Sequence, residues 1–154
     1  MSLFLRRCRT RAVIALLVIA AAAIVESDML VARQEKQLAA TDGWVKLPGP
    51  GETQAMAFAN FENPTMYAIY LKAAAADVAG KAELRDAALS GEAALKPLDF
   101  VTVPAFDWAY MGPKGVHILL MDLKRPLKEG DMITLTVTTE IGVTLQVAAV
   151  VKKE

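Results

Sequence analysis

The sequence of 154 residues holds one cysteine, Cys8, and one histidine, His117. A single Cys excludes a disulfide within the chain and a cysteine-built zinc site, and a single His excludes the multi-histidine metal centres of hydrolases. Neither charge is in excess, with 17 Lys+Arg against 17 Asp+Glu. Without a basic surplus to neutralise phosphates, the chain does not read as a nucleic-acid binder. Beyond its first 25 residues no apolar stretch approaches the roughly 20 residues of a membrane span. No nucleophile and base stand at a recognisable spacing, so the chain does not read as an enzyme. Low net charge with 55% hydrophobic residues excludes disorder as the dominant state. The length suits one domain.

What is present begins at the N-terminus. Arg6, Arg7, Arg9 and Arg11 precede the apolar run Ala12–Val25, 14 residues long, and no acid occurs before Glu26. A basic n-region, an apolar h-region of roughly 7–15 residues and small residues such as Ala21-Ala22-Ala23 form the layout of a secretory signal. Residues 1–23 are therefore expected to be a signal peptide or an uncleaved membrane anchor. Cys8 lies before the apolar run, on the wrong side of it to carry a lipid. Loss of 1–23 takes four Arg and no acid, leaving 13 Lys+Arg against 17 Asp+Glu and a net charge of −4. Residues 24–41 read as a lead-in, either a short helix or a flexible segment.

Residues 42–154 carry the pattern of an all-β domain. Ile133, Leu135 and Val137 alternate with threonines; Val143, Leu145 and Val147 alternate with Thr144, Gln146 and Ala148; Gly142 lies between the two runs. Period-two alternation rich in β-branched residues predicts a hairpin. Trp44–Leu47, Gln54–Phe61, Phe100–Val103 and Val116–Leu123 are each bounded by Gly, Pro or Asn and read as further strands. Phe106, Trp108 and Tyr110 alternate, which places them on one strand face. Met56 and Met66 read as core. Ala73–Ala94 stays open: alanine favours helix, but Gly80 and Gly91 interrupt it, and Lys81–Arg85 reads equally as strand.

The string Gly115-Val116-His117-Ile118-Leu119-Leu120-Met121-Asp122-Leu123-Lys124-Arg125-Pro126-Leu127-Lys128-Glu129-Gly130-Asp131 resembles the periplasmic copper chaperone family PCuAC. Members of that family carry a similar Gly-Tyr-His-x-Met segment, then a near-identical leucine, lysine, proline and Glu-Gly-Asp turn. Trp44-Val45-Lys46, Phe58–Pro64, Ala82–Asp86, Lys96-Pro97 and Val103-Pro104 follow in the family's order, so the resemblance covers roughly residues 42–150. It implies a cupredoxin-like Greek-key β-sandwich, located in the periplasm or anchored to the inner membrane facing it. It also implies Cu(I), held by two His and two Met, and its delivery to a respiratory oxidase subunit or another periplasmic copper protein. Thioether and imidazole suit a soft ion, and a His-x-Met pair projects from one strand face.

The ligand positions implied by the resemblance have changed in this chain. The family's first His falls on Arg85, the following Met on Ala87, the next Met near Lys96, the second His on His117 and its Met on Leu119. His117 keeps its donor. Arg85 is a permanent cation, and like charges about 4 Å apart repel by roughly 4 kcal/mol at an intermediate dielectric. Met111, before the Gly112-Pro113 turn, and Met121, on the same strand face as His117, are the candidate replacement ligands. Asp86 and Asp122 are the acids expected to pair with Arg85. Two functions follow: a copper chaperone with weakened Cu(I) binding, or a repurposed β-sandwich that binds a protein partner without metal.

Overall fold

The computed structural model describes residues 37–154. The expected signal or anchor segment, 1–23, and the lead-in up to residue 36 lie outside the described residues. The strands, in chain order, are β1 (Ala39–Lys46), β2 (Ala55–Asn63), β3 (Ile69–Ala76), β4 (Ala79–Asp86), β5 (Val101–Val103), β6 (Asp107–Tyr110), β7 (Val116–Leu123), β8 (Met132–Thr139) and β9 (Thr144–Lys152). One helical turn, Glu92–Leu95, interrupts them. Hydrogen bonds join the strands along the path β4-β7-β2-β1-β9-β8-β3-β5, with β6 also on β2. The turn at Asp77-Val78 links β3 to β4, strands near the two ends of that path, so the sheet curls back on itself. The outcome is the expected all-β, cupredoxin-like sandwich. β1 and β9 run parallel, and the other pairs run antiparallel.

The alternation read in the sequence sets the core. Ile133, Leu135 and Val137 of β8 and Val147, Ala149 and Val151 of β9 turn inward. They meet Val45, Phe61, Leu71, Ile118 and Leu120 from the other strands. Full burial of a side chain of this size contributes about 1.5–3 kcal/mol.

The alanine-rich stretch forms β3 and β4, and helix is confined to Glu92–Leu95. Ala73–Ala76 pair with Thr138–Leu135 of β8. Helix propensity is worth less than about 1 kcal/mol per residue, and a complete ladder outweighs it. Gly80, which reads as a helix interruption, lies beside Asp122, and a Cβ on it would stand 3.0 Å from the Asp122 Cβ.

Asn63 explains why the chain turns where Asn-Pro stands. It is fully buried. Its Nδ2 donates to the carbonyls of Tyr67 (2.8 Å) and Val103 (3.1 Å), and its Oδ1 accepts from the N–H (3.0 Å) and hydroxyl (2.7 Å) of Thr65. One amide thereby ties the end of β2, the β2–β3 loop and β5 together. Met66 in that loop is 65% exposed and is not core, because the Asn63 turn directs the loop outward. Phe106 also departs from expectation. It precedes β6 in the left-handed conformation, φ 54°, so only Trp108 and Tyr110 share a face. Their rings stack at 5.9 Å and 10°.

Candidate metal site

β4 and β7 place Arg85 opposite His117, Glu83 opposite Leu119 and Lys81 opposite Met121. Opposite residues share a sheet face. These side chains therefore form one surface, on the face away from the buried Ile118 and Leu120. On the other flank of β7, β2 sets Met56 opposite Leu119. Phe58 comes next to His117, with ring centroids 6.4 Å apart, and stacks on Trp44 at 4.3 Å.

β6 and β7 both pair with β2, and the chain leaves that strand between them at residues 111–115. The excursion is closed by Gly112 N–H to Val116 O (3.0 Å) and Gly115 N–H to Gly112 O (3.1 Å). Met111 and His117 stand at its two feet, 8% and 5% exposed.

The His117 Nδ1 lies 3.0 Å from the Gly115 carbonyl oxygen. A carbonyl only accepts, so Nδ1 carries a proton, and in the neutral imidazole Nε2 then keeps its lone pair. Metal-binding imidazoles are oriented in the same way. The Gly115 carbonyl also accepts the Ala87 N–H at 3.0 Å, which binds the end of β4 to the start of β7. An Arg85 Nη1–H donates to the carbonyl of Leu95, adjacent to Lys96. The tertiary structure thus sets Arg85 and Ala87 beside His117 and Leu119 along the β4–β7 pair.

Arg85 does not pair with Asp86 or Asp122. Its partner is Glu83, with Nη2 to Oε2 at 2.6 Å and Nε to Oε2 at 3.1 Å. The reason is the strand period: residues 83 and 85 share a face, and residue 86 takes the other. Asp86 instead accepts the Ala88 N–H at 2.9 Å, and Asp122 is exposed beside Gly80. Glu83 also receives Lys81 Nζ at 2.6 Å. Hydrogen bonds from Lys81 and then Arg85 hold the Glu83 carboxyl below its ordinary pKa. The i, i+2, i+4 spacing of Lys81, Glu83 and Arg85 was the available sequence signal, once this segment is a strand.

The candidate thioethers differ in reach. Met121 is four residues from His117 on β7, about 13 Å at the strand rise, with Leu119 between them. Met111 is at the foot of the same excursion as His117. Met56, read from sequence as core, is partly buried and packs against the core from its position opposite Leu119. Among the described residues no group of three or more His, Cys, Asp or Glu is arranged to hold a metal. Two clefts lie on the β1–β2 loop around Leu47, Pro48 and Glu52; one of them reaches Met56 and Leu119, and the other runs along Leu123–Glu129.

The family model described as "Putative lipoprotein LpqE-like" matches residues 38–151. The chain belongs to the LpqE-like family. A curated relative of this LpqE-like chain, "Putative lipoprotein Lxx21020" of Leifsonia xyli subsp. xyli, is 29% identical over 122 residues, or 78% of this chain and 72% of the relative. The solution structure of CuI-DR1885 from Deinococcus radiodurans matches with a TM-score of 0.60 and 33% identity, covering 76% of this chain and 77% of that one. The copper-bound PCuAC domain from PmoF2 matches with a TM-score of 0.65 and 20% identity over 76% of this chain and 93% of that domain, a likeness of fold. The PCuAC resemblance first read around His117 is upheld for the LpqE-like domain.

Proposed function

We propose that this LpqE-like protein is an exported, membrane-held copper carrier whose Cu(I) site is reduced to His117 with a thioether from Met111. Copper is its cargo, passed to a respiratory oxidase subunit or another periplasmic copper protein. The observation that carries this reading is the His117 imidazole, set by Gly115 to present Nε2 within a frame whose other positions hold Arg85, Ala87 and Leu119. An imidazole and one thioether leave Cu(I) under-coordinated. The Arg85 cation disfavours the ion further, and the Glu83 carboxylate offsets part of that repulsion. The proposed affinity is therefore well below that of a site with the full ligand set.

Membrane attachment rests on the N-terminal segment and the lipoprotein names of the relatives. The one Cys of this chain precedes the apolar run 12–25, so no thiol after that run is available to carry a lipid. In this reading the apolar run itself holds the protein at the inner membrane, with the domain in the periplasm. Among the described residues no helix is long and apolar enough to cross a membrane.

A second reading is favoured by Arg85 itself. Its guanidinium is fastened to Glu83 and to the Leu95 carbonyl, and Arg85 is the cross-strand neighbour of His117. In that reading the sandwich binds a protein partner and no metal. Anaerobic Cu(I) titration against a competing chelator, with His117→Ala alongside, separates the two. Weak binding that disappears in His117→Ala supports the carrier. Tight, submicromolar, His117-dependent binding overturns the reduced site, and absence of competition favours the metal-free sandwich.

A further inference from the structure

We infer that the end of the sandwich where β1 begins is a lipid-contacting surface, seated on the bilayer that holds the N-terminal segment. The inference rests on the membrane attachment proposed above. Three connections meet at this end: β2–β3 (64–68), β5–β6 (104–106) and β8–β9 (140–143). Asn63 bonds the first of them to β5, Phe106 N–H donates to Thr65 O at 3.0 Å, and Glu140 N–H donates to Tyr70 O at 2.9 Å.

These connections expose Met66, Tyr67 (72%), Phe106 (73%) and Ile141 (74%). Glu140 is their only charged residue. The opposite end is different in kind: the β7–β8 connection carries Lys124, Arg125, Lys128, Glu129 and Asp131. Apolar side chains exposed singly need no explanation, but a group gathered from separate connections marks a contact surface. Phe106 adds to the case. Its ring is turned outward from a left-handed backbone, φ 54°, where a bulky residue is strained and Gly or Asn is not.

The path of the chain identifies what covers this end. β1 enters here, with Ala39 paired to Glu62, and Glu62 paired in turn to Trp108. The apolar run ends at Val25, so only residues 26–38 precede β1. Thirteen residues span at most about 45 Å. The tether leaves the domain at this end, so this end reaches the lipid with the least extension of the segment, and the high effective concentration makes shallow insertion sufficient. Trp and Tyr suit the membrane interface, with an apolar body and a polar tip. The connections lack Lys and Arg, so the contact is apolar and independent of headgroup charge.

The test uses full-length protein carrying Trp44→Phe, which leaves Trp108 as its one tryptophan, with phosphatidylcholine vesicles whose acyl chains are or are not brominated. The expected results are flotation with the vesicles and a blue shift of Trp108 emission. Brominated chains should cause a loss of intensity that persists at high salt. Combining Tyr67→Ser, Phe106→Asn and Ile141→Ser should abolish that loss while flotation continues. These side chains are exposed, and an unchanged urea midpoint confirms that the fold survives. Flotation without quenching of Trp108 overturns the inference and leaves the membrane hold intact, pointing to a protein partner at this end. Quenching that survives the triple variant also overturns it. Failure to float removes both the membrane hold and the inference.

Discussion

Arg85 stands directly opposite His117 across the β4–β7 ladder, its guanidinium held by Glu83 and the Leu95 carbonyl and its cross-strand neighbour fixed as the Nδ1–H tautomer by Gly115. In the proposed reading the pair marks what a soft-metal site has kept and what it has replaced. Arg85→His together with Leu119→Met returns an imidazole and a thioether to the face of His117. The expected outcome is a rise in Cu(I) affinity of at least about a hundredfold, near 2.7 kcal/mol, in the chelator competition. Unchanged affinity would show that this frame is not where copper binds.

The Lys81–Glu83–Arg85 row makes stability depend on pH in one direction. Glu83 has a lower pKa folded than unfolded, so the unfolded chain binds more protons as the solution is acidified. Its contribution is complete above the unfolded value and is lost as pH falls through the folded one. Asp131 behaves alike, held down by hydrogen bonds from Arg125 and from the Lys128 N–H. Urea midpoints should be level from neutral pH to about 4.3 and fall below that. Glu83→Gln should lower the neutral-pH midpoint and flatten the acid decline; a decline parallel to wild type would refute the assignment.

Asn63 predicts a large loss from a small change. Asn63→Ala removes the partner of two carbonyls, an N–H and a hydroxyl at a buried position. Unsatisfied buried polar groups cost about 1–3 kcal/mol each, and loop relaxation recovers part of that. A destabilisation of about 3 kcal/mol in urea unfolding is expected, and a change under about 1 kcal/mol would mean that other groups hold the turn.

Gly43 and Gly142 should respond differently to alanine. A Cβ on Gly43 would lie 2.5 Å from the Ala148 carbonyl, because β1 runs alongside β9 there. Gly142 has open space but a φ of 81°. Gly43→Ala should destabilise by about 2–3 kcal/mol through overpacking, and Gly142→Ala by about 1 kcal/mol through backbone strain. Thermal or urea unfolding of the two variants gives the order directly, and a reversed order would contradict the parallel β1–β9 pairing.

Much of the strand content was legible in residue order, because the inward and outward alternation of β8 and β9 is a local property repeated over many residues. Three features were misread. Met66 and Phe106 were read by residue type and alternation, whereas a buried amide and a left-handed backbone turned them outward. The partner of Arg85 was sought among Asp86 and Asp122, whereas the period of a strand not yet established from sequence selected Glu83.

Residue order alone determined the all-β class and the turns at Asn63-Pro64 and Gly142, because each depends on neighbours close in sequence. Tertiary structure alone decided that Ala73–Ala76 pair as strand, that Arg85 and Ala87 come beside His117 and Leu119, and that apolar loops gather at one end. Those outcomes depend on contacts between segments far apart in the chain, and their energies outweigh the weak local preferences of the residues involved.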